Sequence, residues 1–331
     1  MGRDRAQSVV ALGGGHGLHA SLSALRHLVD DLTVDELTAI VTVADNGGSS
    51  GRLRGEFGVL PPGDLRMALA ALCGDDQWGD TWARVLQHRF AGDGEMRGHV
   101  VGNLLIVGLW ELLGDHVDAL DWVGRLLGAK GRVLPMALTP MDIRAEVRGL
   151  ADDPDQLTTV RGQVEVATTD GVIVSIGLEP PDPEVSPAAV AAINDADWVV
   201  LGPGSWFTSV IPHLMVPALR DALQATTGNL VVVLNLDEQA GETPGFGAAD
   251  HLAVLAEHAP ALTIHTVLAD LERVGAELDE LREIVAAHGA RLRVADLAAD
   301  DGSPRHDPAK LAASYAAIFD ESDLDRPLPT N

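Results

Sequence analysis

Short apolar runs alternate with segments whose apolar residues recur at helical spacing along almost the whole chain. Ser8–Leu12, Thr38–Val43, Trp198–Leu201 and Leu230–Leu236 read as strands. The runs VVAL, WVVLG and LVVVL carry no polar break, as expected of strands covered on both faces. Leu18, Leu22, Leu25 and Leu28 mark a helix directly after the first strand. Further helices are predicted over Leu65–Leu72, Asn103–Leu113, Asp118–Leu127, His251–Glu257, Leu271–Ala287 and Pro308–Phe319, and further strands over Leu262–Val267 and Arg291–Val294. Such alternation predicts an α/β fold, a parallel sheet with helices on both faces. The middle is different: Arg132–Leu138, Ile143–Leu150, Gln163–Thr168 and Val172–Ile176 read as short β pieces separated by Asp, Pro and Gly. The expected organisation is therefore one domain over 1–331, a β-hairpin-rich insertion at 132–180, and a C-terminal helix with an acidic tail at 300–331.

Ligands of doubly wound folds sit beyond the carboxyl ends of the strands, where strand order reverses. The loops that follow the apolar runs are therefore the candidate chemistry. Gly13-Gly14-Gly15-His16-Gly17 ends the first strand and opens a helix. Its glycines either admit a phosphate to the helix-start amides or form a tight turn. It lacks the Lys-Ser/Thr of a P-loop and the full dinucleotide spacing, and His16 reads as a turn residue. Asp45-Asn46-Gly47-Gly48-Ser49-Ser50-Gly51-Arg52 is a polar loop after the second strand. There a carboxylate could accept ribose hydroxyls, hold a metal or orient a substrate, and Ser49, Ser50, Arg52 and Arg54 could surround an anion; the plainer reading is a long polar turn. Asp64, after the breaker Pro61–Gly63, reads either as a helix N-cap or as a cleft carboxylate. His99 and Asn103 either point into the cleft or cap the helix that follows. Gly202-Pro203-Gly204-Ser205-Trp206-Phe207-Thr208-Ser209 repeats the strand–glycine–helix pattern and could form a second anion nest. Asn235, Asp237 and the Gln239–Thr243 stretch form another polar strand end. Arg305 is a lone cation in the acidic tail, relevant only where that tail folds back over the site.

Composition narrows the classes. The chain has 331 residues, 49 acidic and 23 basic side chains, and a formal net charge of −26. That balance argues against nucleic acid and anionic membranes as partners, because both draw on clustered Lys and Arg. No run is long enough for a membrane span, the N-terminal apolar run is too short for a signal-peptide core, and the single cysteine, Cys73, fits a reducing compartment. A cytoplasmic protein is expected. No Cys/His metal spacing, nucleophile elbow or triad stands out.

Taken in order, VVALGGGHGLHASLSAL, IVTVADNGGSSGRLR, PPGDLRMALAAL, LQHRF, GHVVGNLL, GRVLPM, LGPGSWFTSVIPHLMVP, GETPGF and RHDPAKLA resemble the YvcK-type gluconeogenesis factor family. That family belongs to the wider CofD-like superfamily, which includes 2-phospho-L-lactate transferases. The resemblance spans nearly the whole chain. It implies a Rossmann-like three-layer αβα fold with a mostly parallel sheet and an inserted small β-rich subdomain. It also implies binding of a UDP-sugar such as UDP-N-acetylglucosamine, a role in cell shape and wall synthesis on gluconeogenic carbon sources, and no assigned catalytic residue.

Carried over by motif, the ligand-binding set is Gly13, Gly14, Gly15, Gly17, Asp45, Asn46, Gly47, Gly48, Ser49, Ser50, Arg52, Gly202, Gly204, Ser205, Phe246 and Arg305. Asp64, Asn103 and Asn235 join it from the loop reading. Three positions depart from the family pattern: Asn46 replaces the second of two adjacent aspartates, Phe246 stands where Tyr is common, and His16 stands where Thr is usual. The alternative reading is a metal-dependent 2-phospho-L-lactate-type transferase of deazaflavin coenzyme biosynthesis, with Mg2+ on Asp45 and Asp64; Asn46 weakens it. An NAD-dependent oxidoreductase is suggested by fold alone, and the loop spacing and the lack of a catalytic base count against it. A homo-oligomer and protein partners in cell-wall synthesis are also expected.

Overall fold

The computed structural model describes residues 7–153, 156–237, 242–243 and 245–325. The chain order is β1 (Ser8–Gly13), α1 (Gly15–Asp30), β2 (Glu36–Val41), α2 (Gly48–Phe57), α3 (Gly63–Ala71), α4 (Gln77–Gln87), α5 (Val101–Leu113), α6 (His116–Leu127) and β3 (Arg132–Pro135). Then come β4 (Asp142–Arg148), β5 (Leu157–Arg161), α7 (Gln163–Ala167) and β6 (Val172–Glu179). The chain returns through α8 (Pro187–Asp195), β7 (Trp198–Leu201), a π-helical turn (Trp206–Val210), α9 (Pro212–Met215), α10 (Pro217–Ala225) and β8 (Asn229–Val233). It ends with α11 (Ala248–His258), β9 (Thr266–Asp270), α12 (Leu271–Val274), a 3-10 turn (Gly275–Glu277), α13 (Leu278–Ala287), β10 (Arg291–Ala295) and α14 (Pro308–Asp325).

Seven strands form one sheet in the order β10-β9-β8-β7-β1-β2-β3, every neighbour parallel. Strand order reverses between β1 and β7, which makes that junction the switch point of the fold. The strands beside it are apolar on both faces and buried, because helices cover the sheet on each side. A buried hydrogen bond of 2.8 Å between Ser21 and Tyr315 ties α1 to α14, so the last helix packs on the first. No helix among the described residues is long and apolar enough to cross a membrane.

Several expectations are corrected. Arg132–Pro135 is not part of the insertion: it pairs with β2 as an edge strand of the main sheet. The separate antiparallel sheet, β5-β4-β6, begins at Asp142. Gln163–Thr168 is largely helical, because Val166 alone turns into the core and the chain needs one turn to bring it there. The polar loop after β2 is short, and Ser49, Ser50 and Arg52 belong to α2, whose one buried apolar side chain, Leu53, left no helical stripe to read. α4 likewise escapes, although Asp76 caps it by accepting from the Gly79 amide at 2.7 Å. β9 starts four residues later than its apolar run, and Leu271–Ala287 breaks at Gly275 into two helices.

Candidate functional site

A cleft of about 780 Å3 opens at the switch point. Its walls come from the β1–α1 loop (Gly14 to Gly17), α7, the β7 loop and π-turn, the end of β8 (Asn235 to Asp237), and a C-terminal segment (Pro304 to Pro308). Of the expected residues, Gly14, Gly15, Gly17, Gly204, Ser205, Asn235 and Arg305 line it. Gly13, Asp45, Asn46, Gly47, Gly48, Ser49, Ser50, Arg52, Asp64, Asn103, Gly202 and Phe246 do not belong to that lining. His16, His19, Gln163, Thr208, Ser209, His306 and Asp307 line it without having been expected as ligand residues. Thr208, Ser209, His306 and Asp307 sat inside motifs already quoted, whereas Gln163 carried no signal.

The glycines of the first loop serve different ends. Gly15 has φ of 57°, and a Cβ there would meet nothing within 4 Å. A Cβ on Gly14 would stand 2.6 Å from Asp64 Oδ2, and one on Gly17 would stand 2.6 Å from the Cα of Gly204. Two glycine loops therefore touch backbone to backbone beneath the cleft.

α1 opens without a side-chain cap from Gly14. Instead Asp64, in the first turn of α3 rather than at its N-cap, accepts a hydrogen bond from the Gly15 amide. Burial and the nearby Asp45 charge push the Asp64 carboxyl up to about 7, against the pull of the Gly15 amide and the Arg66 guanidinium.

The second loop is not the open anion nest expected of it. The Glu242 carboxylate, 3% exposed, accepts from the Phe207 amide at 3.0 Å, from Thr208 Oγ1 at 2.7 Å and from Ser205 Oγ. A protein carboxylate thus occupies the donors that a phosphate would need. Asn235 brackets the same loop, accepting from the Gly204 amide at 3.0 Å and donating to its carbonyl at 2.9 Å. Phe246 lies behind it, edge-on to Phe207 at 5.9 Å and His251 at 5.7 Å, so its ring is a packing group and not a wall of the cleft. Residues 239–241 lie outside the described residues.

The polar residues after β2 mostly hold one another. Asp45 Oδ1 accepts from the Gly47 amide at 2.8 Å. Ser49 Oγ lies 3.2 Å from His99 Nδ1, accepts from the Val100 amide at 3.2 Å and from Asn103 Nδ2 at 3.2 Å. Asn103 also donates to Ser50 at 3.5 Å, and its Oδ1 accepts from Arg66 Nε at 3.0 Å. Arg66, which sequence reasoning passed over, continues the chain to Gln87. Arg52 donates to the carbonyls of Glu95 and Arg97. Asn46 turns away to α7.

The tail does fold back. The Ala299 amide donates to the Arg305 carbonyl at 2.8 Å, Ala298 bridges to His306, and Lys310 bonds Asp296 and Asp300. Arg305 stands at the mouth with its side chain 67% exposed, paired to Asp301 at 2.8 Å and to Ser303 Oγ at 3.0 Å. Burial brings the His306 imidazole down to about 4, so it is neutral.

The model of the family described as 2-phospho-L-lactate transferase CofD matches residues 9–299. The chain belongs to the CofD family. Within that family it is 54% identical over 307 residues to the putative gluconeogenesis factor of Mycobacterium tuberculosis H37Rv, covering 92% of this chain and 88% of that one. It is 34% identical over 329 residues to the gluconeogenesis factor of Listeria monocytogenes, covering 96% and 98%. A crystal structure of a UPF0052-family protein from Bacillus halodurans superposes with a TM-score of 0.81 at 31% identity, over 94% of this chain and 99% of that one. This CofD-family chain is thus of the gluconeogenesis-factor type.

The two carboxylates named for a cation in the metal-dependent reading are Asp45 and Asp64. Their carboxylates are close enough for one to raise the other, and two carboxylates plus a ligand phosphate are a donor set Mg2+ accepts. Among the described residues no group of three His, Cys, Asp or Glu side chains gathers around one point. Neither carboxylate lines the cleft, so the described residues form no ready-made cation site there.

Proposed function

We propose that the chain is a receptor for a UDP-sugar of the UDP-N-acetylglucosamine type. In this reading it supports wall synthesis and cell shape during gluconeogenic growth through that binding rather than through turnover. The supporting observation is the cleft itself: a switch-point crevice of about 780 Å3 with the start of α1 on its floor and Arg305 folded back at its mouth. Helix-start amides favour a diphosphate, and a guanidinium adds a charge-assisted bond. The relatives named gluconeogenesis factor support the physiological part. A cytoplasmic location, a homo-oligomer and partners in wall synthesis belong to the same reading. Thermal-shift titration tests it: UDP-N-acetylglucosamine or UDP-glucose should raise the melting temperature by mass action. No shift with either, beside a clear shift with a guanine or adenine nucleotide, overturns it.

The family model, described as 2-phospho-L-lactate transferase, favours a second reading, a transferase of that type in which Asp45 and Asp64, whose charges interact, act as a pair. Here the pair would hold Mg2+, which would neutralise charge on the transferred phosphate. Incubation with Mg2+, a nucleotide-activated phospholactate and a deazaflavin acceptor should then give product. No product, with nucleotide binding unchanged in Asp45→Ala, removes this reading.

A further inference from the structure

The Asn46 side chain, just after β2 of the main sheet, reaches across to α7 of the insertion. Its Nδ2 donates to Glu165 Oε2 at 2.7 Å, and its Oδ1 accepts from the Val164 amide at 3.0 Å. An asparagine presents an NH2 donor and a carbonyl acceptor side by side, and α7 engages one of each here. The neighbouring backbone is shaped around this contact. A Cβ on Gly47 would stand 2.9 Å from Val164 Cγ2, and one on Gly162, at φ of 106°, would collide with the Asn46 amide and the Glu165 carboxylate. On the opposite side of α7, Val166 is fully buried, and Gln163 and Ala167 form one wall of the cleft.

We propose that Asn46 is a positioning residue, a latch that fastens the inserted small sheet to the main domain through Glu165 and Val164 and so sets the α7 wall of the cleft. An aspartate at 46 would put a carboxylate against Glu165 in place of a donor, so the residue types at 46 and 165 are matched as a pair. The contact is local to the junction between the two sheets and leaves the central strands untouched. Its effect on ligand affinity rests on the UDP-sugar reading, whereas the latch itself does not.

Hydrogen exchange of the α7 amides in the unliganded protein is the test, joined to affinity for UDP-N-acetylglucosamine. Asn46→Asp should speed exchange at Val164 to Ala167 by about tenfold, through a lost hydrogen bond and a new like-charge contact. The exchanged pair Asn46→Asp with Glu165→Gln restores one donor and one acceptor with reversed polarity and should bring exchange back near wild type. Glu165→Ala, on an exposed residue, should loosen α7 without unfolding the chain, so the test stands even where Asn46→Asp folds poorly. Unchanged α7 exchange in Glu165→Ala and Asn46→Asp overturns the latch, as does failure of the reversed pair to rescue. If the wild type binds the sugar nucleotide, its affinity should fall and recover in step with exchange. If it does not bind, the UDP-sugar reading fails while exchange still decides the latch.

Discussion

A Cβ on Gly17 would stand 2.6 Å from the Cα of Gly204 and closer still to the Pro203 carbonyl oxygen. The loops after β1 and β7 are therefore small because they press on each other, and only Gly15 faces open space. Gly17→Ala should then cost roughly 1–3 kcal/mol of stability through overpacking, seen as a lower urea midpoint. Gly15→Ala has room, and should cost about 1 kcal/mol through its left-handed backbone, with its methyl group weakening ligand binding. A milder effect at Gly17 than at Gly15 would contradict the loop contact.

Glu242 behaves as an internal anion. Removing it in Glu242→Ala leaves the Phe207 amide and the Thr208 hydroxyl without their acceptor, at a cost of about 1–3 kcal/mol. The same variant should gain a site for inorganic phosphate. Added phosphate should raise its melting temperature more than that of the wild type, and equal shifts in the two proteins would argue against it.

The carboxyl of Asp64 is raised from its ordinary value near 3.8 to about 7 in the folded chain. Between those values the folded state holds a proton that the unfolded state has released. Stability from this group is therefore full below pH 4 and is lost as pH rises through 7. Asp64→Asn keeps an oxygen for the Gly15 amide and has nothing to titrate. Its unfolding free energy should fall less steeply than that of the wild type from pH 4 to 7. Parallel pH profiles for the two proteins would show that Asp64 does not carry this dependence.

The Arg305 side chain is exposed and, among the described residues, bonds Asp301 and Ser303 of its own turn. Arg305→Ala should leave the melting temperature of the free protein within about 1 °C, as expected of an exposed pair, while weakening binding of the UDP-sugar proposed above. Unchanged affinity in a folded variant would show that the C-terminal segment does not contact the ligand.

The sheet could be read in advance where the sequence is uniform. Val9 to Leu12, Trp198 to Leu201 and Leu230 to Val233 are apolar without interruption because helices cover both faces, and each gave a strand in its place. The glycine loops also fell at the strand ends. Their division of labour did not show, because a glycine admitting a ligand and a glycine admitting another backbone are the same letter. Glu242 on Phe207, Asn46 on Glu165 and Phe246 against His251 were invisible for a different reason. The first two pairs lie 35 and 119 residues apart, and in the third a ring suited to stacking on a base packs equally well on a histidine. α7 was misread because five residues around one buried valine carry no periodicity.

Of the residues lining the cleft, Arg305 alone is Arg or Lys among the described residues, and it arrives already engaged with Asp301. An incoming phosphate would therefore exchange one anion for another on the same guanidinium, and Asp301 would be released to solvent. Such a swap changes the number of bound salt ions very little. Affinity should depend weakly on ionic strength, unlike that of a protein that neutralises phosphates with uncommitted cations. In a chain carrying a net charge of −26, that exchange would let an anionic ligand be held about equally well in dilute and in concentrated salt.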